Sequence, residues 1–409
     1  MQGRLVITHA SVVGRDRILE DHTVICEGDR ISEVFPSQSA EEKERSFDPA
    51  TDLDIMDAKG AYLTPGFIDL HIHGLKGKLA GNGPDDLSGM CRELPGFGVT
   101  AFLPSITPDD KECETLANLA RTKTVGAEVL GFFLEGHFLK LTGAIRGMKS
   151  DYTAERVKAL KTALGNRRAV FGVSPEIPGI TSLIPIMAKG GAPVFITHTM
   201  ANYEETEKAI EAGARHATHF YDVFPYPGEQ EPGVRGCGAV EAIMANPDVT
   251  VDFILDGEHV HPGAVKMALA CKGLEKVCLI TDANLNAGME PGIYKGIGGT
   301  DIEMKYKGGP AREWHQPTEY GSFPNAAKPG GLTGSGLTLD LALRNAVKML
   351  GLSLPQAAAL VSRNPARVLG LDHERGVIEK GYRADFSLLD RDFMVKACYI
   401  AGKQAYADI

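Results

Sequence analysis

Eight short apolar runs punctuate the middle of the chain, each closed by polar or turn residues. They are GFIDLHIH from Gly66, VTAFLPS from Val99, VLGFFLEG from Val129, AVFGVSPE from Ala169, PVFITHT from Pro193, HATHFYD from His216, TVDFILDGEH from Thr250 and KVCLITDA from Lys276. Runs this short, bounded this way, predict buried strands. Between them lie patterns of helical period: TAERVKALKTALG, NYEETEKAIEAG, GAVEAIMAN and PGAVKMALACKG. Strands alternating with helices predict a parallel sheet of the α/β class. Eight such strands fit a (β/α)₈ TIM-like barrel of ordinary size. The alternative, a doubly wound open sheet, lacks a Gly-rich phosphate fingerprint after its first strand and is the weaker reading.

The two ends of the chain have a different texture. RLVITHASVV, HTVICEGDRISEVF and DIMDAKGAYLTPGFID near the start, and RGVIEKGYRADFSLLD and MVKACYIAGKQAY near the end, read as short strands joined by turns. Only PSQSAEEKERSFDPATD among them is polar enough to be an exposed loop. The predicted organisation is a small β-sandwich built from residues 1–64 and 371–409, with the barrel over 65–370.

Composition narrows the partners. At 43% hydrophobic and 23% charged, the 409-residue chain is an ordinary globular one. Its formal net charge of -10 argues against a nucleic-acid or anionic-membrane surface. The seven cysteines show no C-x-x-C pairing and read as reduced thiols. The start, MQGRLVITHASVVGRDR, has neither the apolar core nor the cleavage site of a signal peptide, and no apolar stretch reaches membrane-span length. A cytoplasmic protein is expected.

The candidate chemistry sits at the ends of the apolar runs. In GFIDLHIH, strand alternation puts His71 and His73 on one face and Leu70 and Ile72 on the other. Alone, two imidazoles at a strand end are as readily a hydrogen-bonded pair as the start of a metal site. The third run, however, ends in Glu135, the fifth in His198, the sixth in His219 and the eighth in Asp282. In a barrel these ends converge on one face. Imidazole nitrogens and carboxylate oxygens gathered there suit Zn²⁺, Fe²⁺ or a related divalent ion. Cys237 lies in a Gly-rich loop and is a poor ligand candidate.

Taken together, PGFIDLHIHG, LEGHF, THTMANYEE, GARHATHFYD, EPGVRG, DGEHVHP, LITDA and GGLTGSGLTLDLALRNAV resemble the amidohydrolase superfamily, and within it the N-acetylglucosamine-6-phosphate deacetylases. The likeness runs nearly end to end. It implies that Glu135, His198 and His219 hold the main metal, and that His71 and His73 hold a second ion with Glu135 and Asp282. One or two ions per subunit are therefore expected, zinc first and iron second. It further implies that the metal lowers the pKa of water, and that Asp282 takes the water's proton and returns it to the departing amine. As alternatives, Asp282 is only a ligand or a helix cap. Substrate contacts are implied at Ala144, Asp222, Val223, His259, Leu332, Thr333 and Gly334, and the subunits are expected to form a homodimer or larger homo-oligomer.

Four departures from the family pattern bear on substrate. The metal-binding glutamate is followed by Gly136-His137 in place of Gly-Pro, and Gly-Ala-His reads Gly143-Ala144-Ile145. His137 either replaces the lost imidazole as the group polarising the scissile carbonyl or packs beside the site. His-x-x-Asn-Ala reads His219-Phe220-Tyr221-Asp222-Val223, and a carboxylate at Asp222 repels phosphate if it points inward. Finally, the arginine by which the family reaches a neighbouring subunit's substrate phosphate is here Gln230. Loss of one charged hydrogen bond, about 1.5–3 kcal/mol, weakens phosphate recognition roughly ten- to a hundredfold. Arg235, or a lysine from the long Gly/Pro-rich segment after Asp282, is the alternative cation. That segment reads as a lid, a specificity loop or a plain surface hairpin. The expected activity is metal-dependent hydrolysis of an amino sugar's N-acetyl group, by default N-acetylglucosamine 6-phosphate. The alternatives are an unphosphorylated amino sugar, an N-acyl amino acid, or a non-catalytic scaffold.

Overall fold

The computed structural model describes residues 3–39, 53–145, 148, 150–228, 231–296, 301–314 and 330–408. All eight apolar runs of the middle segment form strands. They are β1 (Phe67–Ile72), β2 (Val99–Ile106), β3 (Phe132–Phe138), β4 (Ala169–Val173), β5 (Val194–Ile196), β6 (Ala214–Ala217), β7 (Thr250–Ile254) and β8 (Val277–Ile280). Each pairs in parallel with the next. The ring closes between β8 and β1. There Thr281 Oγ1 donates to Asp69 Oδ2 at 2.6 Å, and Asp282 N donates to the His71 carbonyl at 2.9 Å. The barrel is filled by side chains rather than hollow, with Phe133, Phe171, Phe195 and Phe253 fully buried.

The four helices expected from periodicity are present as Ala154–Leu164, Tyr203–Ala212, Ala239–Ala245 and Pro262–Lys272. Tyr203–Ala212 shows why the boundaries were readable. Asn202 Oδ1 accepts from Glu205 N at 2.8 Å and Glu205 Oε2 accepts from Asn202 N at 3.0 Å, a reciprocal cap. Its buried residues Thr206, Ala209 and Ile210 fall on one helical face.

The strands of the two chain ends join in one eight-stranded sheet. Its order is Lys403–Ala407, Val395–Ile400, Phe386–Leu389, Tyr62–Pro65, Arg4–Val13, Ile18–Glu27 and Arg30–Pro36, with Leu53–Asp57 also beside Arg4–Val13. Arg4–Val13 is long enough to pair with Leu53–Asp57 along its first half and with Tyr62–Pro65 along its second. The sheet has a core of its own, including Ile7, Val24, Leu63, Phe386 and Tyr399.

The segment after β8, read from sequence as a long loop, contains a four-stranded antiparallel sheet: Gly292–Lys295, Asp301–Met304, Pro310–Glu313 and Leu332–Ser335. Ser335 bridges in parallel to Ala283, which seats this sheet at the C-terminal end of β8, beside the strand ends that carry the chemistry.

Candidate active site

Three of the strand-end residues sit in the left-handed backbone region: His198 (φ 49°), His219 (φ 35°) and Asp282 (φ 45°). So do Tyr221 (φ 76°) and Val223 (φ 55°), the latter β-branched and hence strained there. Such conformations cost energy and persist where surrounding packing imposes them. Here they turn successive side chains toward one point. Gly143 (φ 51°) belongs to the same arrangement, because a Cβ on it would lie 2.7 Å from His198 Cε1.

Glu135 is the centre of the site, and its two oxygens face different partners. Oε1 lies 3.3 Å from His198 Nε2 and 3.2 Å from His219 Nε2. Oε2 lies 2.9 Å from His73 Nε2 and 3.3 Å from His71 Nε2. Asp282 Oδ1 completes the second group at 3.3 Å from both His71 Nε2 and His73 Nε2. Glu135 Oε2 is buried and makes no hydrogen bond of proper geometry despite these close approaches. His219 Nε2 with Glu135 Oε1, and His71 Nε2 with His73 Nε2, are at hydrogen-bonding distance, but a buried carboxylate oxygen left without a partner among imidazole nitrogens fits a shared cation. Two ligand sets, His71–Glu135–His219 and His71–His73–Asp282, each have their atoms within 4.8 Å of one another.

An outer layer orients these imidazoles. His71 Nδ1 lies 3.1 Å from Thr218 Oγ1, which donates to Asp252 Oδ1 at 3.1 Å. With its proton committed to Asp252, Thr218 accepts from His71 Nδ1–H and leaves the Nε2 lone pair facing Glu135 and Asp282. Asp252 also accepts from His219 N and lies 2.7 Å from His216 Nε2. His219 Nδ1 lies 3.3 Å from the Asp222 carbonyl, which orients its Nε2 in the same way. Burial alone disfavours imidazolium at His73. The hydrogen-bonded Asp282 and Glu135 carboxylates outweigh it and hold that group at about 10. Burial opposes the charge at His219 too, and chiefly Glu135 raises it to about 10. Sites with this proton affinity bind divalent cations with proton release.

The ligand residues open into a cleft of about 550 Å³, a size suited to a small-molecule substrate. His73, Glu135, His198, His219 and Asp282 line it, with His71 buried beneath. Of the residues expected at the substrate, Ala144, Asp222, Val223, His259, Leu332, Thr333 and Gly334 all line this cleft.

Two expected residues are not brought there, and a third lies outside the described residues. His137 is fully buried away from the cleft, with Nε2 3.7 Å from Glu112, while its carbonyl accepts from Arg156 Nη1 at 3.0 Å. Strand alternation would have turned it inward. Gly136 (φ 90°) and a register shift between Leu134 and Phe138 break that alternation. Arg235 is exposed and pairs with Glu241 at 2.8 Å along a groove that adjoins the cleft at Phe224 and Pro225. Gln230 is the one outside the described residues. Cys237 is exposed and belongs to neither ligand set.

The cleft also takes residues that sequence reading passed over: Thr107, Tyr221, Asn284 and Arg312. Tyr221 is one residue from Asp222 and carried a signal by position. Arg312 carried none, because its approach depends on the extra sheet folding back over β8.

The fold and the strand-end cluster define a (β/α)₈ barrel with a candidate metal-ligating group at the ends of its strands. The chain belongs to the amidohydrolase family, whose model matches residues 62–405, and is a hydrolase of amide C–N bonds. It is 30% identical over 372 residues to the N-acetylglucosamine-6-phosphate deacetylase of Vibrio furnissii, covering 88% of this chain and 87% of that protein. To the N-acetylgalactosamine-6-phosphate deacetylase of Escherichia coli O157:H7 it is 29% identical over 357 residues, covering 84% and 87%. The structure of a mutant N-acetyl-D-glucosamine-6-phosphate deacetylase from Mycobacterium smegmatis, in complex with N-acetyl-D-glucosamine-6-phosphate, superposes with a TM-score of 0.82. That protein is 27% identical, and the match covers 99% of this chain and all of that one.

Proposed function

We propose that the protein is a metal-dependent deacetylase that hydrolyses the N-acetyl group of an amino sugar, with the 6-phosphate as default substrate. The observation that carries this reading is Glu135, whose two oxygens each face a pair of imidazoles at the floor of a substrate-sized cleft. The named activities of the relatives supply the substrate class.

His198, His219 and Glu135 would hold one divalent ion, and His71, His73, Glu135 and Asp282 a second, with zinc the leading ion and iron the alternative. When bound, such an ion supplies Lewis acidity, which acidifies water and polarises the amide carbonyl. Asp282, at the mouth of the ligand group, takes the proton of the attacking water. It returns that proton to the nitrogen as the C–N bond breaks, giving acetate and a free amine. Asp252 and Thr218 act one layer out, fixing the ring orientation of His71. Leu332, Thr333, Gly334, Ala144 and Val223 shape the cleft around the sugar. His137 is left out of this scheme.

The same reading treats residues 65–370 as the catalytic barrel, with 1–64 and 371–409 as the supporting β-domain. It takes the working form to be a cytoplasmic homodimer or larger homo-oligomer. Among the described residues no helix is long and apolar enough to cross a membrane, and no cysteine is bridged. The test pairs metal analysis of the purified protein with a deacetylation screen of N-acetylhexosamines, with and without the 6-phosphate. One or two divalent ions per chain and acetate release are expected. Absence of both would favour the non-catalytic scaffold, and release only from N-acyl amino acids would move the substrate class.

A further inference from the structure

Among the described residues lining the cleft, Arg312 is the one lysine or arginine. It comes from strand Pro310–Glu313 of the extra sheet, not from a barrel strand. Two contacts hold its guanidinium: Nη1 donates to the Gly330 carbonyl at 2.7 Å, and Nη2 donates to Glu258 Oε2 at 2.5 Å. Glu258 also accepts from the Tyr306 hydroxyl, so the sheet is fastened to the loop after β7 through one carboxylate. A guanidinium carries five N–H donors, and these contacts use two of them.

The residue after Glu258 is His259, which lines the same cleft. Its Nδ1 lies 2.6 Å from Asp256 Oδ2, leaving the Nε2 edge for the cleft. Burial opposes the His259 imidazolium, but the Asp256 carboxylate outweighs this and raises its pKa. A fixed guanidinium on the extra sheet and an imidazole on the loop after β7 thus both line the cleft, linked through Glu258, the residue before His259. Asp222, Glu135 and Asp282 bring carboxylates to the same lining, and Asp222 is near enough to His259 to help raise its pKa. Arg235, exposed and paired with Glu241, is absent from the cleft lining.

We infer that Arg312 is the specificity-determining residue for an anionic substituent on the substrate, a phosphate monoester, and that it reads this group from within the same chain. The inference rests on the deacetylase reading for its substrate. Arginine matches phosphate geometry with parallel N–H donors and keeps its charge at every working pH. Glu258 sets the plane of the fork and Gly330 anchors its other edge, so little side-chain entropy is lost when the anion arrives.

The test compares the metal-loaded parent with Arg312→Ala, Arg312→Lys and Arg235→Ala. kcat/KM is measured on N-acetylglucosamine 6-phosphate and on N-acetylglucosamine. In Arg312→Ala the preference for the phosphorylated substrate should fall by about ten- to a hundredfold, chiefly through KM. Arg312→Lys keeps the charge without the fork and should fall between it and the parent, while Arg235→Ala should keep the parent's ratio. An unchanged ratio in Arg312→Ala, or equal loss on both substrates, overturns the inference, as does loss of the ratio in Arg235→Ala. Calorimetric binding of glucosamine 6-phosphate against glucosamine separates this from failure of the deacetylase reading. Arg312-dependent binding of the phosphorylated sugar without turnover would uphold the anion site and refute the reaction. Equal binding of both sugars by the parent would refute the anion site whatever the turnover.

Discussion

His198 and His219 face the same Glu135 oxygen at 3.3 and 3.2 Å, so neither can replace the other. His198→Ala and His219→Ala should each abolish hydrolysis and lower bound metal by about one ion per chain, read by elemental analysis. A variant that keeps full metal and full rate would remove that residue from the ligand set. Asp282→Asn should separate the two readouts, with metal falling less than the rate, because the amide cannot take up the water's proton. Asp252→Asn tests the outer layer. It weakens the Thr218 anchor of His71 and should lower metal affinity about ten- to a hundredfold, measured by chelator competition. Unchanged affinity would make the Asp252–Thr218 chain a purely structural feature of the barrel floor.

At the scale of elements, helix Tyr203–Ala212 and the sheet after β8 answer to different forces. The helix is specified locally by Asn202, Glu205 and the apolar face Thr206–Ala209–Ile210. Asn202→Ala should cost about 1 kcal/mol in denaturant unfolding while leaving kcat/KM near the parent's, since the capped turn lies outside the cleft lining. A loss of activity without a loss of stability would contradict that assignment. The sheet Gly292–Lys295, Asp301–Met304, Pro310–Glu313 and Leu332–Ser335 is held instead by distant partners: Ala283 at one end and Glu258 at the other. No local pattern announces a strand whose partner is supplied by the barrel.

For the whole molecule, cysteine burial gives a pH signature. Burial in apolar surroundings raises the Cys26 thiol to about 12 and the Cys91 thiol to about 11, against about 8.5 for a thiol in an unfolded chain. Above that unfolded value the unfolded chain releases these protons and the folded one keeps them, so stability falls as pH rises through about 9 to 11. Thermal unfolding should shift downward across this window, and Cys26→Ala should flatten the slope. An identical slope in that variant would show that other groups set it. By the same burial, a thiol reagent at pH 7 should label the exposed Cys113, Cys237 and Cys271 in the native protein, and all seven cysteines only after unfolding.

Much of this architecture was written locally. Short apolar runs became eight strands, helical periods with caps became the helices between them, and the candidate ligands stood at the ends of five runs, His71 and His73 sharing one. Those features were legible because strand alternation, capping and periodicity act over a few residues. What local rules do not reach is the direction a side chain takes once the backbone leaves its regular path. Gly136 turned His137 out of the cleft and toward Glu112. Positive φ angles turned His198, His219 and Asp282 inward together. Arg235, near the family's arginine in sequence, stayed on the surface. Arg312, 54 residues from Glu258 in the chain, came to the cleft because the sheet carrying it packs against β8. The barrel, its strand order and the placing of the candidate ligands at strand ends follow from the chain alone, since each repeats a local signal strand by strand. Which charged groups line the cleft was settled by long-range packing between segments that carry no pattern in common.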